Sequence, residues 1–413
     1  MTDCDRRTFL TQAGGAVAAL SFLPEFATAA PQPTDGPLPV ALVGVGRQGR
    51  SILGELQKMQ ESAAVVAICD SDDRRLRSGA RRAAGAEAFA DHRAMLEKRK
   101  DIQAIFIATP THAHRQVAVD ALQAGRHVYC EAPIAATIED CRAIASAARS
   151  APGLCQPGLQ GRSDPIYKLA WSFFRSDAIR DLISMRGQYH RKTTWRTPTS
   201  DPARDKLLNW RLDPEVSIGL AGEFGTHQFD VFHWYTDRYP TTIVGAGDIR
   251  LHDDGRTVAD TVDCNLTFTG GAHLQYNATL ANSFEGRHEV LCGSNGAIKL
   301  AWTHGWMFKE ADAPTQGWEV YANRQQFHND EGITLIADAT KLAAQGKLKE
   351  GVGLPNDPLY YSITDFFNSI VKNEPVVCSI EEGMRATAVG ILANRAIVTG
   401  EAVTIDDSIL KGS

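Results

Sequence analysis

Apolar residues along this chain follow two different patterns. From Val40 to about Arg149, short solid apolar runs alternate with stretches of helical periodicity. The runs are Val40–Val43, Ala64–Cys69, Ala104–Ala108 and His127–Cys130. A run with no polar side suits a strand covered on both faces. A helical stretch such as Thr111–Ala124, closed by Gly125, lies between runs. This alternation predicts a parallel sheet with helices on both sides. The segment Ala151-Pro-Gly-Leu-Cys-Gln-Pro-Gly158 predicts a boundary. After it, a helix over Pro165–Arg175 precedes long strand-like stretches at Leu182–Tyr189, Ile243–Leu251, Thr261–Phe268 and His273–Thr279. Val262, Cys264, Leu266 and Phe268 alternate strictly with polar residues, the mark of a half-buried antiparallel strand. Gly270-Gly271 suits a hairpin turn, and a second hairpin is expected around Ser294-Asn-Gly296. Two helices, Leu359–Lys372 and Ile380–Thr399, close the chain. An open sheet with one wet face hides its apolar face against helices or another subunit, and a homodimer or homotetramer through that sheet is the default expectation.

The first apolar run ends in Gly44-x-Gly46-x-x-Gly49, and a helical pattern through Ile52, Leu53 and Leu56 follows. Such a loop binds a dinucleotide: the first glycine permits the turn, the second lets backbone approach a pyrophosphate, and the third lets helix pack on strand. The helix N-terminus adds free N–H groups for phosphate, with Arg47 and Gln48 in its first turn. Asp70 closes the second run, placed to accept the ribose hydroxyls of NAD. Arg74 and Arg75 follow and suit a 2′-phosphate, so NADP stays open. The fold class is therefore α/β: an N-terminal Rossmann domain over residues 40–150, then an α+β domain with an open, mostly antiparallel sheet over 151–413, whose closing helix is free to pack back on the first domain.

Other features narrow the picture. Asp5-Arg6-Arg7-Thr8-Phe9-Leu10, a weakly apolar stretch and Ala27-Thr-Ala29 predict a twin-arginine signal over residues 1–30, with a Pro-rich linker over 31–39. The expected location is periplasmic or otherwise extracytoplasmic, with no membrane attachment after cleavage. A net charge of −6 gives no electrostatic reason to expect nucleic acid or an anionic membrane as partner. The eight cysteines show no CxxC spacing, so no metal site is expected; Cys69 and Cys264 read as buried thiols.

Four groups carry candidate chemistry. Thr109-Pro-Thr-His112-Ala-His114 follows a strand, at the edge where open α/β sheets bind ligands. Glu131-Ala-Pro133 follows another, and the Ala132–Pro133 bond is expected to be cis. Glu223 and His227 stand four apart, so a helix would set them on one face, the acid orienting the base; Asp230 and His233 extend that segment. The strand end Gln188–Trp195 puts Tyr189 and Arg191 on one side and His190 and Lys192 on the other. Trp195 and Trp210 offer flat faces for a sugar.

Together these motifs resemble the glucose-fructose oxidoreductase / inositol dehydrogenase (Gfo/Idh/MocA) family. The resemblance spans the glycine loop, Ala108-Thr-Pro-Thr-His-Ala-His114, Gly125-x-His127-Val128 leading to Glu-x-Pro, the segment Gly219 to His227 and the closing helices. It implies tightly bound NAD or NADP and oxidation or reduction of a sugar or cyclitol carbon. It implies that Gly44, Gly46 and Gly49 cradle the pyrophosphate, and that Thr109, Pro110, His112, Glu131 and Pro133 surround the nicotinamide. His227 would be the base and Glu223 its acid neighbour. Trp195, Arg196, Trp210, Arg211 and the Trp302–Trp318 region would meet the carbohydrate. The family normally reads Glu-Lys-Pro, and the lysine helps move the hydroxyl proton; here the position is Ala132. Either His227 acts with Glu223, or Lys192 or Tyr189 reaches in. The departure leaves open a redox-neutral NAD-dependent glycosidase or lyase, whose Asn-Trp-Arg matches Asn209-Trp-Arg211, and a sugar-binding protein that keeps NAD without turnover.

Overall fold

A computed structural model describes residues 36–315 and 353–410 and, between them, 319, 322, 324–327, 330–337, 342 and 345. The twin-arginine segment, Cys4 and Trp318 lie outside the described residues. The chain runs β1 (Leu38–Val43), α1 (Arg47–Leu56), β2 (Ala63–Cys69), α2 (Asp73–Arg82), β3 (Glu87–Phe89), α3 (His92–Lys98), β4 (Ala104–Ile107), α4 (His114–Gln123), β5 (His127–Cys130), α5 (Ile138–Ser150) and β6 (Cys155–Pro157). These strands form one parallel sheet in the order β3-β2-β1-β4-β5-β6. The expected boundary after residue 150 falls too early. The Pro/Gly-rich stretch supplies β6, paired with β5 through Val128–Cys155 and Cys130–Pro157. The expected linker likewise ends sooner, because β1 begins at Leu38.

Pleating divides the apolar runs between two cores. Val40 and Leu42 face Ile52, Leu53 and Leu56 of α1, while Ala41 and Val43 share a core with Val117, Ala121 and Leu122 of α4. That explains why the runs contain no polar face.

The second region runs α6 (Pro165–Arg175), β7 (Leu182–His190), α7 (Pro202–Leu208), α8 (Thr226–Thr236), β8 (Pro240–Asp248), β9 (Thr261–Phe268), β10 (His273–Thr279), β11 (Arg287–Gly293), β12 (Gly296–Ala301), β13 (His304–Lys309), β14 (Arg324–Phe327), β15 (Asp330–Thr334), α9 (Pro358–Lys372), α10 (Ile380–Thr399) and β16 (Val403–Thr404). Its strands form a ten-stranded sheet in the order β14-β15-β13-β12-β11-β7-β10-β9-β8-β16. Every pair is antiparallel except β7 with β10. On β9, Val262, Cys264, Leu266 and Phe268 are buried and Asp263 and Asn265 exposed, as the alternation predicts. The covered face packs on α6, α8 and α10, through residues such as Ile166, Phe232 and Leu392.

The two closing helices tie the regions together. Leu359, Ile363, Phe366 and Phe367 of α9 fill the core beside Val40, Phe106 and Tyr129. Phe106 meets the Phe366 ring edge-on at 5.8 Å, and the Tyr129 hydroxyl lies 3.0 Å from Ser362 Oγ. The N-terminal half of α10 (Ile380, Met384) packs with the parallel sheet, and its later residues (Ala388, Ala393, Ala396) pack under the second sheet. Cys69 and Cys264 are buried free thiols, and the described cysteines form no disulfide. Among the described residues, no helix is long and apolar enough to cross a membrane, and no cluster of three His, Cys, Asp or Glu could hold a metal ion.

Because α9 completes the first core from the far end of the chain, Phe366→Ala should destabilise the whole protein by about 3–5 kcal/mol. Urea unfolding with a probe in each region checks this: the parallel sheet should lose stability along with the rest, although no residue before 160 has changed.

Candidate active site

A cleft of about 880 Å³ runs between the parallel sheet and the second region, lined by residues of both. One end is built by the glycine loop. Gly44 has φ +92°, in the left-handed region, and a Cβ there would lie 2.5 Å from the Ala108 carbonyl carbon. A Cβ on Gly49 would lie 1.8 Å from the Gly44 carbonyl oxygen. At Gly46 the nearest atom to such a Cβ is the Arg75 guanidinium at 3.6 Å, so this glycine keeps its backbone open toward the cleft. Turn, approach and packing are thus divided among the three glycines as dinucleotide binding requires. Arg47, Gln48, Arg50 and Arg75 line the same end, beside the N-terminus of α1. The open cradle and its cationic rim fit a pyrophosphate.

Asp70 sits behind the loop. Its Oδ2 accepts from the Val45 N–H at 2.8 Å and its Oδ1 from the Asp72 N–H at 2.8 Å. Burial raises its pKa, against the pull of these N–H donors and Arg75. The carboxylate therefore fixes the loop directly, a duty that the motif alone does not assign to it.

The middle of the cleft belongs to the two strand ends. Thr109, Pro110, Thr111 and His114 line it, but His112 does not: its ring packs edge-on against Trp210 at 5.7 Å. His114 lines the cleft instead, buried with Nδ1 3.0 Å from the Pro133 carbonyl and Nε2 2.9 Å from the Thr109 carbonyl. Burial lowers its pKa, and the single N–H of the neutral ring donates to one of the two. The Ala132–Pro133 bond is cis. Ala132 lines the cleft, while Pro133 contributes through its carbonyl. Glu131 is buried, accepts from Gln48 Nε2 at 3.0 Å, and has its pKa raised to about 7 by burial.

The far end comes from the second region. Glu223 and His227 both line the cleft, but Glu223 does not orient His227. Ala221–Gly225 is a π-helical turn, and α8 begins only at Thr226, so the pair does not sit on a regular α-helical face. Glu223 Oε1 accepts from Thr111 Oγ1 and Oε2 from Arg211 Nε, each at 2.8 Å. The His227 ring is partnered by the Ala132 backbone instead. Burial first, and Arg287 second, lower its pKa to about 3. At neutral pH it is an uncharged imidazole.

Alternation at the end of β7 holds. Tyr189, Arg191 and Thr193 line the cleft, and Lys192 points elsewhere, exposed. Tyr189 stacks on Phe224 at 3.8 Å. Trp195 and Trp210 line the cleft as expected, with the Arg211 guanidinium 4.2 Å from the Trp210 ring centre and 5.6 Å from that of Trp195. Arg196 is withdrawn: its Nε donates to Asp254 at 2.8 Å, outside the lining. Asn209 is equally occupied, holding Thr197 and Asp205. Asp230 and His233 serve the packing of α8, paired with Arg162 and Glu382. Trp302 lines the cleft above Arg287, at 3.9 Å from ring centre to guanidinium carbon.

Arg287 was not foreseen. It opens β11 directly opposite Tyr189, and its Nε donates to the fully buried Glu289 at 3.3 Å. Tyr167 donates to the other Glu289 oxygen at 2.5 Å. The signal was present in Arg287-His-Glu289: strand alternation puts the arginine and the acid on one face.

Sequence comparison gives the site its family context. Residues 38–159 match the model of the Gfo/Idh/MocA oxidoreductase family, NAD-binding Rossmann fold, and residues 170–299 match its C-terminal domain. Inositol 2-dehydrogenase 1 of Saccharopolyspora erythraea is 34% identical over 267 residues, 63% of this chain and 73% of that protein. Levoglucosan dehydrogenase of Pseudarthrobacter phenanthrenivorans is 27% identical over 173 residues, and the match spans less than half of its length, 42% of each chain. In structure, a levoglucosan dehydrogenase in complex with NADH and L-sorbose superposes with TM-score 0.72 at 20% identity, covering 90% of this chain and 99% of that one.

The Glu131 carboxyl yields a pH prediction. Its folded pKa lies above its unfolded one, so its contribution is whole below about pH 4.5 and is lost as pH rises through 7. A rise from 4.5 to about 7 corresponds to about 3 kcal/mol. Glu131→Gln should therefore match the parent near pH 4.5 and exceed it at pH 8, as urea midpoints of cofactor-free protein will show. With its glycine loop, cis Glu-Ala-Pro turn and His227 gathered on one cleft, the chain belongs to the Gfo/Idh/MocA oxidoreductase family.

Proposed function

We propose that this protein is an NAD-dependent oxidoreductase acting on a carbinol of a sugar or glycoside, with His227 as proton acceptor. The observation that carries the reading is the joining, in one cleft, of a dinucleotide cradle and an uncharged imidazole flanked by aromatic faces. Relatives whose names describe action on levoglucosan and inositol support it.

The residues at the cradle suit NAD: Gly46 and the N–H groups of α1 for the pyrophosphate, with Arg47, Arg50 and Arg75 around it. Asp70 is assigned to the adenosine ribose, and Arg75 is the residue that would admit NADP. Bound there, the nicotinamide supplies a two-electron acceptor for hydride from a carbinol carbon. Trp195 and Trp210 offer stacking faces to the ring of the substrate. His227 takes the hydroxyl proton, and residue 132 of the Glu-x-Pro turn is an alanine with no proton to give. The Ala132 backbone adjoins the imidazole, and Glu223 acts at one remove by fixing Thr111 and Arg211. Tyr189, stacked on Phe224, borders the same space. We further propose export through the twin-arginine pathway, which carries folded protein with its cofactor loaded, and self-association through the open sheet.

A redox-neutral glycosidase is the competing chemistry, and one experiment separates the two. NAD-loaded protein is mixed with aryl glycosides and free sugars, following phenol release and reduced nicotinamide together. A rise of reduced nicotinamide without phenol, relieved by a keto-sugar, is expected; many phenol turnovers with at most one equivalent of reduced cofactor would overturn the reading. His227→Ala should lower kcat/KM by about 10²–10⁴-fold while NAD binding persists. Since His227 is uncharged well above pH 4, the parent's rate should show no histidine limb between pH 5 and 8.

A further inference from the structure

The substrate end of the cleft has an uneven supply of donors and acceptors. Glu223 reaches it from the second region and is fully engaged, and Glu289, buried outside the lining, engages Arg287 from behind. Glu223 receives Thr111 and Arg211; Glu289 receives Tyr167 and Arg287. Each arginine uses its Nε for this. The Nη groups of Arg211 and of Arg287 have no hydrogen-bond partner among the described residues, and both side chains line the cleft. Each guanidinium also lies over a tryptophan ring, Arg211 over Trp210 and Arg287 over Trp302. Trp195 and Trp302 themselves have φ of 62° and 60°, a conformation costly for so bulky a residue. Such backbone strain concentrates where a site must be held in one geometry. Arg191 adds a third cation to the lining.

A neutral sugar hydroxyl both donates and accepts, and is best met by a mixture of carboxylates and donors. Here the Glu223 carboxylate is already satisfied, and the guanidinium groups of Arg191, Arg211 and Arg287, which only donate, stand in the lining. A planar fork that is charged, fixed by its Nε and lying over an aromatic ring matches a carboxylate in two-point contact.

We propose that the substrate is an acidic sugar, a uronic acid or uronoside, whose carboxylate binds the Nη groups of Arg287 with Arg211 alongside. The proposal rests on the oxidoreductase reading for turnover but not for binding. Arg287 selects the substrate, and His227 accepts the proton from its carbinol.

The test uses full-length NAD-loaded protein with glucuronic and galacturonic acids and their methyl glycosides, the matching neutral sugars, and glucose 6-phosphate. Both calorimetric binding and reduction of bound NAD are followed. Uronides should exceed their neutral counterparts by about 10–100-fold in kcat/KM, the scale of a charge-assisted pair. Arg287→Lys keeps the charge but loses the fork, and should raise KM for the uronide about tenfold or more while leaving kcat within a few-fold. Because Glu289 is buried, the double variant Arg287→Met/Glu289→Gln serves as a second test protein with no stranded acid, and it should abolish the preference for uronides over neutral sugars. Uronides that bind but never reduce NAD would uphold the proposal and sink the oxidoreductase reading. Neutral sugars turned over as well as uronides would leave that reading standing and overturn the proposal. Preference for the sugar phosphate, or no uronide binding, would also overturn it.

Discussion

A single buried carboxylate joins the two halves of this molecule. Glu223 lies on the second region, is 5% exposed, and accepts one hydrogen bond from Thr111 of the first region and one from Arg211 of its own. A buried anion without partners is costly, so the cleft has to hold these three side chains in register. Thr111 starts the short turn that leads into α4, whose first residue, His114, lies between the Thr109 and Pro133 carbonyls and donates to one of them. Arg211 in turn rests on Trp210, against which His112 packs. Both strand-end loops and the aromatic wall therefore depend on where one carboxylate sits. The π turn Ala221–Gly225 is what delivers it. Gly390 of α10 lets that turn approach closely: a Cβ there would lie 2.4 Å from Thr226 Oγ1 and 3.2 Å from Gly222 Cα.

Where physics acts locally, the sequence was readable. Apolar runs without a polar side became the parallel strands, and alternation on β9 became a sheet with one covered face. Pro165–Arg175 and Ile380–Thr399 are helices at the predicted residues, because each is framed by a local signal: Asp164 caps the first, and Ser379 and Gly400 bracket the second. The glycine loop was readable because the spacing of its three glycines is itself local, although the atoms that crowd Gly44 belong to Ala108, far along the chain. The boundary misplaced at residue 150 shows the limit of the same logic. Proline and glycine ordinarily mark a turn, yet Cys155–Pro157 is an edge strand, where a proline interrupts no ladder on its open side.

Partnerships across the fold were not readable. The helical spacing of Glu223 and His227 suggested a catalytic pair, but Glu223 found its partners 112 and 12 residues away. Lys192 carried attractive chemistry and the wrong parity; Tyr189, two strand positions from Arg191, carried the right one. Arg196 looked like a ligand contact and instead pairs with Asp254, while Asn209 holds Thr197 on the segment that follows Trp195. Arg287 escaped attention because nothing in its own neighbourhood says that β11 will lie beside β7.

The replacement of lysine by Ala132 changes the electrostatics of the site as well as its proton inventory. In this chain, the charge that acts on His227 comes from Arg287 of β11 rather than from the cis turn. An arginine stays protonated at any working pH, so it cannot hand over a proton as a lysine can. What it can do is disfavour a second positive charge nearby, keeping His227 uncharged in the absence of substrate. An anionic group bound to Arg287 would offset part of that effect. The imidazole would then become a better base when the cleft is filled than when it is empty, which links recognition of the substrate to the basicity of the group that receives its proton.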